Sequence, residues 1–263
     1  MRKHLSLIWL LLKLRLSRAM MYRLSFFGAF FVDGAMVTTQ LIAFQAIYAG
    51  VDSIAGWGRA EALLFVGTFS LVNALNMVVF FFGINGLADK VKTGELDGYL
   101  VKPMNPLVRL TFENIDLGSV PLLLYSAAIL SYAGRLLPSP PTPGRVLGYV
   151  GMALAMTLLW YDLMLILRSI SFYTTSVKGI QRVEGSLIEL NMRLPGVAFR
   201  GAFKALFMLV LPYGLIGTVP AEVMAGLIAP AGAAYALAIA AAFTGLALGL
   251  FRAGLRRYDS AGG

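Results

Sequence analysis

Apolar residues in this chain come in long unbroken blocks, separated by short polar stretches rich in turn formers. A block of about 20 apolar residues, at about 1.5 Å per residue, matches the roughly 30 Å hydrocarbon core of a bilayer. Blocks at 25–48, 62–88, 117–136, 146–170 and 227–251 read as membrane-spanning helices. The region between the fourth and last blocks is mixed. Residues 183–199 are only moderately apolar and carry Glu184, Glu189, Asn191 and Arg193. Residues 202–216 are more apolar but are broken by Pro212 and Gly214, and Pro220 follows. Hydropathy alone prefers 202–216 as the fifth span and makes 183–199 an interfacial helix. Ahead of the first block, residues 1–24 place Trp9 and several leucines among Lys13, Arg15 and Arg18. That pattern predicts an N-terminal amphipathic helix lying in the membrane interface rather than a cleaved signal.

The longest polar interruption, 89–115, has a structure of its own. Thr93 can cap a short helix, with Glu95 and Asp97 in its first turn, where the helix dipole favours negative charge. Pro103 ends that helix, since the residue before a proline avoids the α region. Asn105-Pro106 then supplies an N-cap and a first-turn proline for a second helix, on which Arg109 and Glu113 lie one turn apart. Helix, break and helix folded this tightly between two spans suggest a docking surface.

Composition agrees with the membrane reading. Of 263 residues, 59% are apolar and 13% charged, with a mean hydropathy of +0.78, which is too oily for a soluble domain. The net charge of +9 falls unevenly: basic residues crowd the N-terminus, the 89–115 loop, the end of the fourth block and Arg252, Arg256 and Arg257. The positive-inside tendency then places both termini in the cytoplasm, with six spans, and explains the charge without nucleic acid. There is no cysteine and one histidine, His4, so disulfides, thiol chemistry and histidine metal clusters are excluded. No phosphate-binding Gly-x-x-x-x-Gly-Lys-Ser/Thr, His-Glu-x-x-His or Gly-x-Ser-x-Gly occurs, which argues against an enzyme and leaves any energy to another chain or an ion gradient.

Two acids lie inside predicted spans, Asp33 and Asp162, each about eight residues from the inner end and so roughly 12 Å deep. Carboxylates at that depth are costly and must face protein or a wet cavity. They suit either a proton or cation site or a hydrogen-bonded role in helix packing. Asn73 and Asn76 in the second span read as interhelical hydrogen-bond partners. Ala241, Gly245 and Gly249 repeat at four-residue spacing and allow close helix contact in the last span.

The run Lys92-Thr-Gly-Glu-Leu-Asp-Gly-Tyr-Leu-Val-Lys-Pro-Met-Asn-Pro106 resembles the signature of permease subunits of type-2 ABC exporters, in the branch of about 260-residue uncharacterised or multidrug-type export systems. Leu167-Arg-Ser-Ile-Ser-Phe172 and Leu255-Arg-Arg-Tyr-Asp-Ser-Ala-Gly262 resemble the same branch. The resemblance implies an all-α integral membrane protein of the bacterial cytoplasmic membrane. It would have six spans, the N-terminal interfacial helix, a cytoplasmic coupling helix and a re-entrant outer hairpin before the last span. On that pattern 183–199 becomes the fifth span and 202–225 the hairpin, against the hydropathy preference. The coupling segment maps onto Gly94, Glu95, Leu96, Asp97, Tyr99, Leu100, Lys102, Pro103, Asn105 and Pro106, as the docking site for a separate ATP-binding subunit. ATP and magnesium would sit on that partner, so this chain needs no cofactor of its own, and a second permease, identical or a sister, would complete the pathway beside membrane lipid. A proton-coupled secondary transporter using Asp33 and Asp162 is the alternative, and a non-transporting scaffold a third.

Overall fold

The computed structural model describes residues 23–174 and 178–258, excluding the side chains of residues 23–27, Ala29, Phe30, Asp33 and Lys178. The expected interfacial helix at 1–24 lies almost wholly outside the described residues. Every named element is helical: α1 (Arg23–Gly50), α2 (Arg59–Asn76), α3 (Phe82–Asn85), α4 (Leu87–Thr93), α5 (Asp97–Leu100), α6 (Pro106–Phe112), α7 (Val120–Leu136), α8 (Pro143–Ser169), α9 (Lys178–Arg193), α10 (Gly201–Ala205), α11 (Tyr213–Ala225) and α12 (Pro230–Arg257).

Among the described residues, four helical stretches are long and apolar enough to cross a membrane: Arg59–Thr93, Leu117–Leu136, Pro143–Phe172 and Pro230–Arg257. α1, at 28 residues, has the length as well. The first of the four is α2, α3 and α4 run together through a π turn at Met77–Phe81. A π turn inserts one residue and leaves a carbonyl without its helical partner. Here Val78 O accepts instead from the backbone N–H of Asp116, at 3.0 Å. Asp116 in turn caps the start of the next span through Gly118 and Ser119. The two turns are thereby hooked together.

α2 is the central helix, packed against α7, α8 and α11, while α8 also packs against α12. Leu64, Val66 and Val72 on α2 are wholly buried. A file of rings runs across the bundle from Phe44 and Trp57 through Phe65 and Phe69 to Trp160, with centroids 5.3–6.2 Å apart. Small residues let the helices approach. A Cβ on Gly67 would meet the Leu130 side chain at 2.9 Å, and one on Gly217 the Phe65 ring at 2.8 Å. Polar side chains bond across the same seams: Ser126 to Ser70, Tyr149 to Thr68 and Tyr161 to Thr111. Such interhelical bonds are worth about 0.6 kcal/mol each on average in a membrane.

The small-residue repeat in the last span does not face these neighbours. Ala241, Gly245 and Gly249 are exposed, and α12 meets the bundle through Ala236, Ala240, Ala247 and Gly254. The spacing was legible, but a helix of alanines and glycines offers several such stripes and the pattern does not choose between them.

The mixed region resolves into two parts. α9 starts five residues before 183 and stops at Arg193, because Pro195 cannot continue it and disfavours helix at Leu194. Its 16 residues reach about 24 Å. The apolar stretch that follows is not one straight helix. Gly201–Val210 and Tyr213–Ala225 meet at 87° across Leu211-Pro212. The link between α9 and this bent pair tucks beneath α11, where Gly196 N–H donates to Thr218 Oγ1 at 2.7 Å and a Cβ on Gly196 would reach within 2.6 Å of Gly214 O.

On α3, Gly83 approaches α6 so closely that a Cβ there would overlap the carbonyl oxygen of Leu110. Backbone cannot yield as a flexible side chain can. Gly83→Ala is expected to cost about 1–3 kcal/mol or more, read as a lowered melting temperature of the detergent-solubilised protein. Gly245→Ala, which meets nothing within 4 Å, is expected to leave it unchanged.

Candidate functional site

Between the first two long spans after α1, the chain leaves the bundle at α4 and returns at α7. α4 ends because Gly94 takes a left-handed conformation, φ 76°. Thr93 is therefore the last residue of α4, not the cap of the next helix, and its hydroxyl donates back to Asp89 O at 2.9 Å. The Thr93 cap expected from sequence is corrected on this point. Gly94 turns the chain into the four-residue α5. Beyond it, Asn105 does cap α6, its Oδ1 accepting from Leu107 N–H at 2.9 Å, with Pro106 in the first turn.

Two side chains tie this segment down. Leu96 is wholly buried and Tyr99 nearly so. Tyr99 donates to Glu113 Oε2 at 2.5 Å. Arg109 stacks over its ring at 3.9 Å and donates to Gly98 O at 3.0 Å. Glu113 also lies 3.3 Å from Lys90 Nζ and 3.9 Å from Arg109 Nε, while Lys90 reaches Glu95 at 3.2 Å. Glu113 thus gathers α4, α5 and α6 around one carboxylate. Burial and the bond to Glu113 hold the Tyr99 phenol above its ordinary value of 10.0, against the opposing pull of Lys90.

Of the residues assigned to this segment from sequence, Leu96 and Tyr99 point inward and Gly94 and Pro106 shape the backbone. Asp97 is half-buried beside Tyr258 at the end of α12; burial first, and then this carboxylate, raise the Tyr258 phenol. Glu95, Leu100, Lys102, Pro103 and Asn105 are exposed, and Val101, not singled out from sequence, is 81% exposed. The segment therefore has a buried underside and an outer face that is partly apolar.

A second polar cluster lies nearby among the helices. Arg168, at the end of α8, pairs with Glu184 of α9 at 2.6 Å, and both side chains are 4% exposed. The same guanidinium donates to Asn85 Oδ1 of α3 at 3.2 and 3.0 Å. Three helices are thereby tied at one point, and Glu184 faces protein, as its place on a moderately apolar helix requires. Asn191 is buried too, while Glu189 and Arg193 pair on the exposed side. Asn85 gave no signal in the sequence, since a lone asparagine near a span end is ordinary.

Asp162 is buried and accepts from Thr244 Oγ1, linking α8 to α12. Its partner is a hydroxyl in a helix seam. The Asp33 side chain lies outside the described residues. Asn76 is buried and neither amide atom is hydrogen-bonded among the described residues, so the interhelical bond expected of it is not found there; Asn73 is half-buried. Among the described residues no group of acids and histidines could hold a metal ion.

A family model described as ABC-2 family transporter protein matches residues 35–262. Nothing among curated proteins, and nothing among solved structures, matches the chain.

Removing one partner of a buried ion pair leaves the other charge stranded, at a cost of about 3–5 kcal/mol, whereas replacing both with apolar groups is often neutral. Glu184→Ala is expected to lower thermal stability more than the double change Arg168→Met/Glu184→Met, in melts of the solubilised protein. The raised Tyr99 value gives a pH test. The folded state keeps this proton where the unfolded chain has lost it, so the stabilisation is complete below about pH 10 and declines as pH rises towards the folded value. The stability gap between the native chain and Tyr99→Phe should stay constant up to about pH 9 and narrow as pH rises above about pH 10.

Proposed function

Because this chain belongs to the ABC-2 family of transporter proteins, we propose that it is the permease subunit of an ABC exporter, driven by ATP hydrolysed on a separate subunit. The observation that carries this reading is the two-sided segment at Gly94–Asn105. A loop with no docking role has little need of a buried tyrosine, a buried leucine and a shared carboxylate beneath an exposed Leu100-Val101-Lys102 face. That combination suits a rigid element pressed by another protein: the apolar tip gives contact and the network beneath keeps it from yielding.

Six spans with both termini in the cytoplasm are the arrangement this reading favours, supported by the placement of basic residues. α1 and α9 supply the first and fifth spans, and the pair bent by 87° forms the outer hairpin before α12. ATP binding would bring two ATPase subunits together, and the segment would pass that displacement to α4, α6 and α12, which it touches. A second permease chain completes the pathway. The cargo is hydrophobic or amphipathic, since few charges line the spans.

Leu100→Glu/Val101→Glu tests the docking face without touching the buried side. A P-loop ATPase should co-purify with the tagged native chain from its host membrane and be lost with this variant, while the melting temperature stays unchanged. If no ATPase accompanies the native chain even after mild crosslinking, the exporter reading fails.

A further inference from the structure

At the end of the bundle remote from Gly94, about 50 Å away along α2 through α4, the ends of α1, α2 and α7 line an open cavity of about 630 Å³. Its apolar wall includes Phe44, Leu63 and Leu136, and it also carries two opposite charges, Arg59 and Glu61. These two do not pair. Residues two apart on a helix do not face one another, and neither is in an ion pair among the described residues. Each is instead fixed by the backbone. Arg59 Nη2 donates to Tyr48 O at 3.1 Å, leaving its other guanidinium N–H groups free among the described residues. Glu61 Oε2 accepts from Gly58 N–H at 2.9 Å, leaving Oε1 free. The turn that presents them is itself held, since Tyr48 donates to Trp57 O at 3.0 Å and Trp57 is buried.

A fixed cation and a fixed anion, separate and with bonding capacity to spare, are complementary to a dipolar group, and the apolar wall beside them to a hydrocarbon chain. Helix ends place the cavity at the level of the headgroups, where tyrosines such as Tyr132 at its rim are favoured. We propose that this cavity binds a phosphoethanolamine headgroup of a membrane phospholipid. Arg59 takes the phosphate through paired N–H donors. Glu61 Oε1 accepts from the primary ammonium, and an acyl chain lies along Phe44, Leu63 and Leu136. A headgroup with a phosphate but no ammonium leaves Glu61 facing an anion, and a quaternary ammonium offers it no N–H. The site is independent of ATPase docking, and its test does not need transport.

Lipid retention by the full chain is measured by native mass spectrometry from detergent, with phosphatidylethanolamine, its N-methylated series, phosphatidylglycerol and soluble glycerophosphoethanolamine. The native chain should retain phosphatidylethanolamine about tenfold over phosphatidylglycerol, the worth of one charge-assisted hydrogen bond. Retention should fall with each N-methyl group. Glu61→Gln, which keeps the bond to Gly58, should bring the two lipids close to parity. Arg59→Gln should lower both. Equal retention of both lipids by the native chain, or a preference that survives both substitutions, overturns the proposal. Displacement by glycerophosphoethanolamine at the same concentration reassigns the site to a soluble zwitterion and overturns the lipid source. The methylation series is read on the unaltered chain, so the test stands even if a variant folds poorly.

Discussion

A guanidinium buried in an apolar bundle must keep a counter-charge within reach, and the end of this bundle that carries α4 depends on that requirement at Arg168. Its partners come from two other helices, Glu184 from α9 and Asn85 from α3. α9 is the least apolar of the long helices, with acids, amides and basic residues along it. It has little hydrophobic reason to stay among the others. The ion pair supplies one, and fixes where along α8 it docks. Since Asn85 immediately precedes the turn into α4, the same guanidinium sets the position from which the Gly94–Asn105 segment departs.

The segment itself is organised on a similar logic with different groups. Glu113 stands where Tyr99, Lys90 and Arg109 converge. Tyr99 is held from both faces, by Arg109 stacked on its ring and by burial beneath. Two carboxylates therefore govern the region, one deep among helices and one at their cytoplasm-facing ends in the proposed orientation. Each ties neighbouring helices together, the property that the proposed permease, driven from outside its own chain, would require.

Much of this was legible in the sequence. Long apolar blocks gave the helices with near-correct limits, because burial in hydrocarbon leaves few alternatives to helix. Asn105-Pro106 announced the start of α6, since capping is a local matter of residue type. The motif at 92–106 marked the right loop but not which side chains face outward. Tyr99 and Leu96 sit among the exposed residues in sequence, and only the folded α4–α6 shows that they serve as roots. The Thr93 cap failed because Gly94 could equally end one helix or precede another. Asn85 with Arg168 and Glu184 could not be found, as 83 residues separate the first two and nothing local signals the meeting.

The π turn at Met77–Phe81 has a consequence for phase. Each residue of an α-helix advances the chain by about 100°, so the residue it accommodates rotates everything beyond it by that angle relative to a straight helix. Deleting one residue there, to give a continuous α-helix, would swing Leu87 out of the core and carry Lys90 away from Glu113. The two halves of this rod, on either side of the π turn, thus face their own neighbours only because they are out of register with each other, and an aligned homologue lacking that residue would need a different loop to compensate.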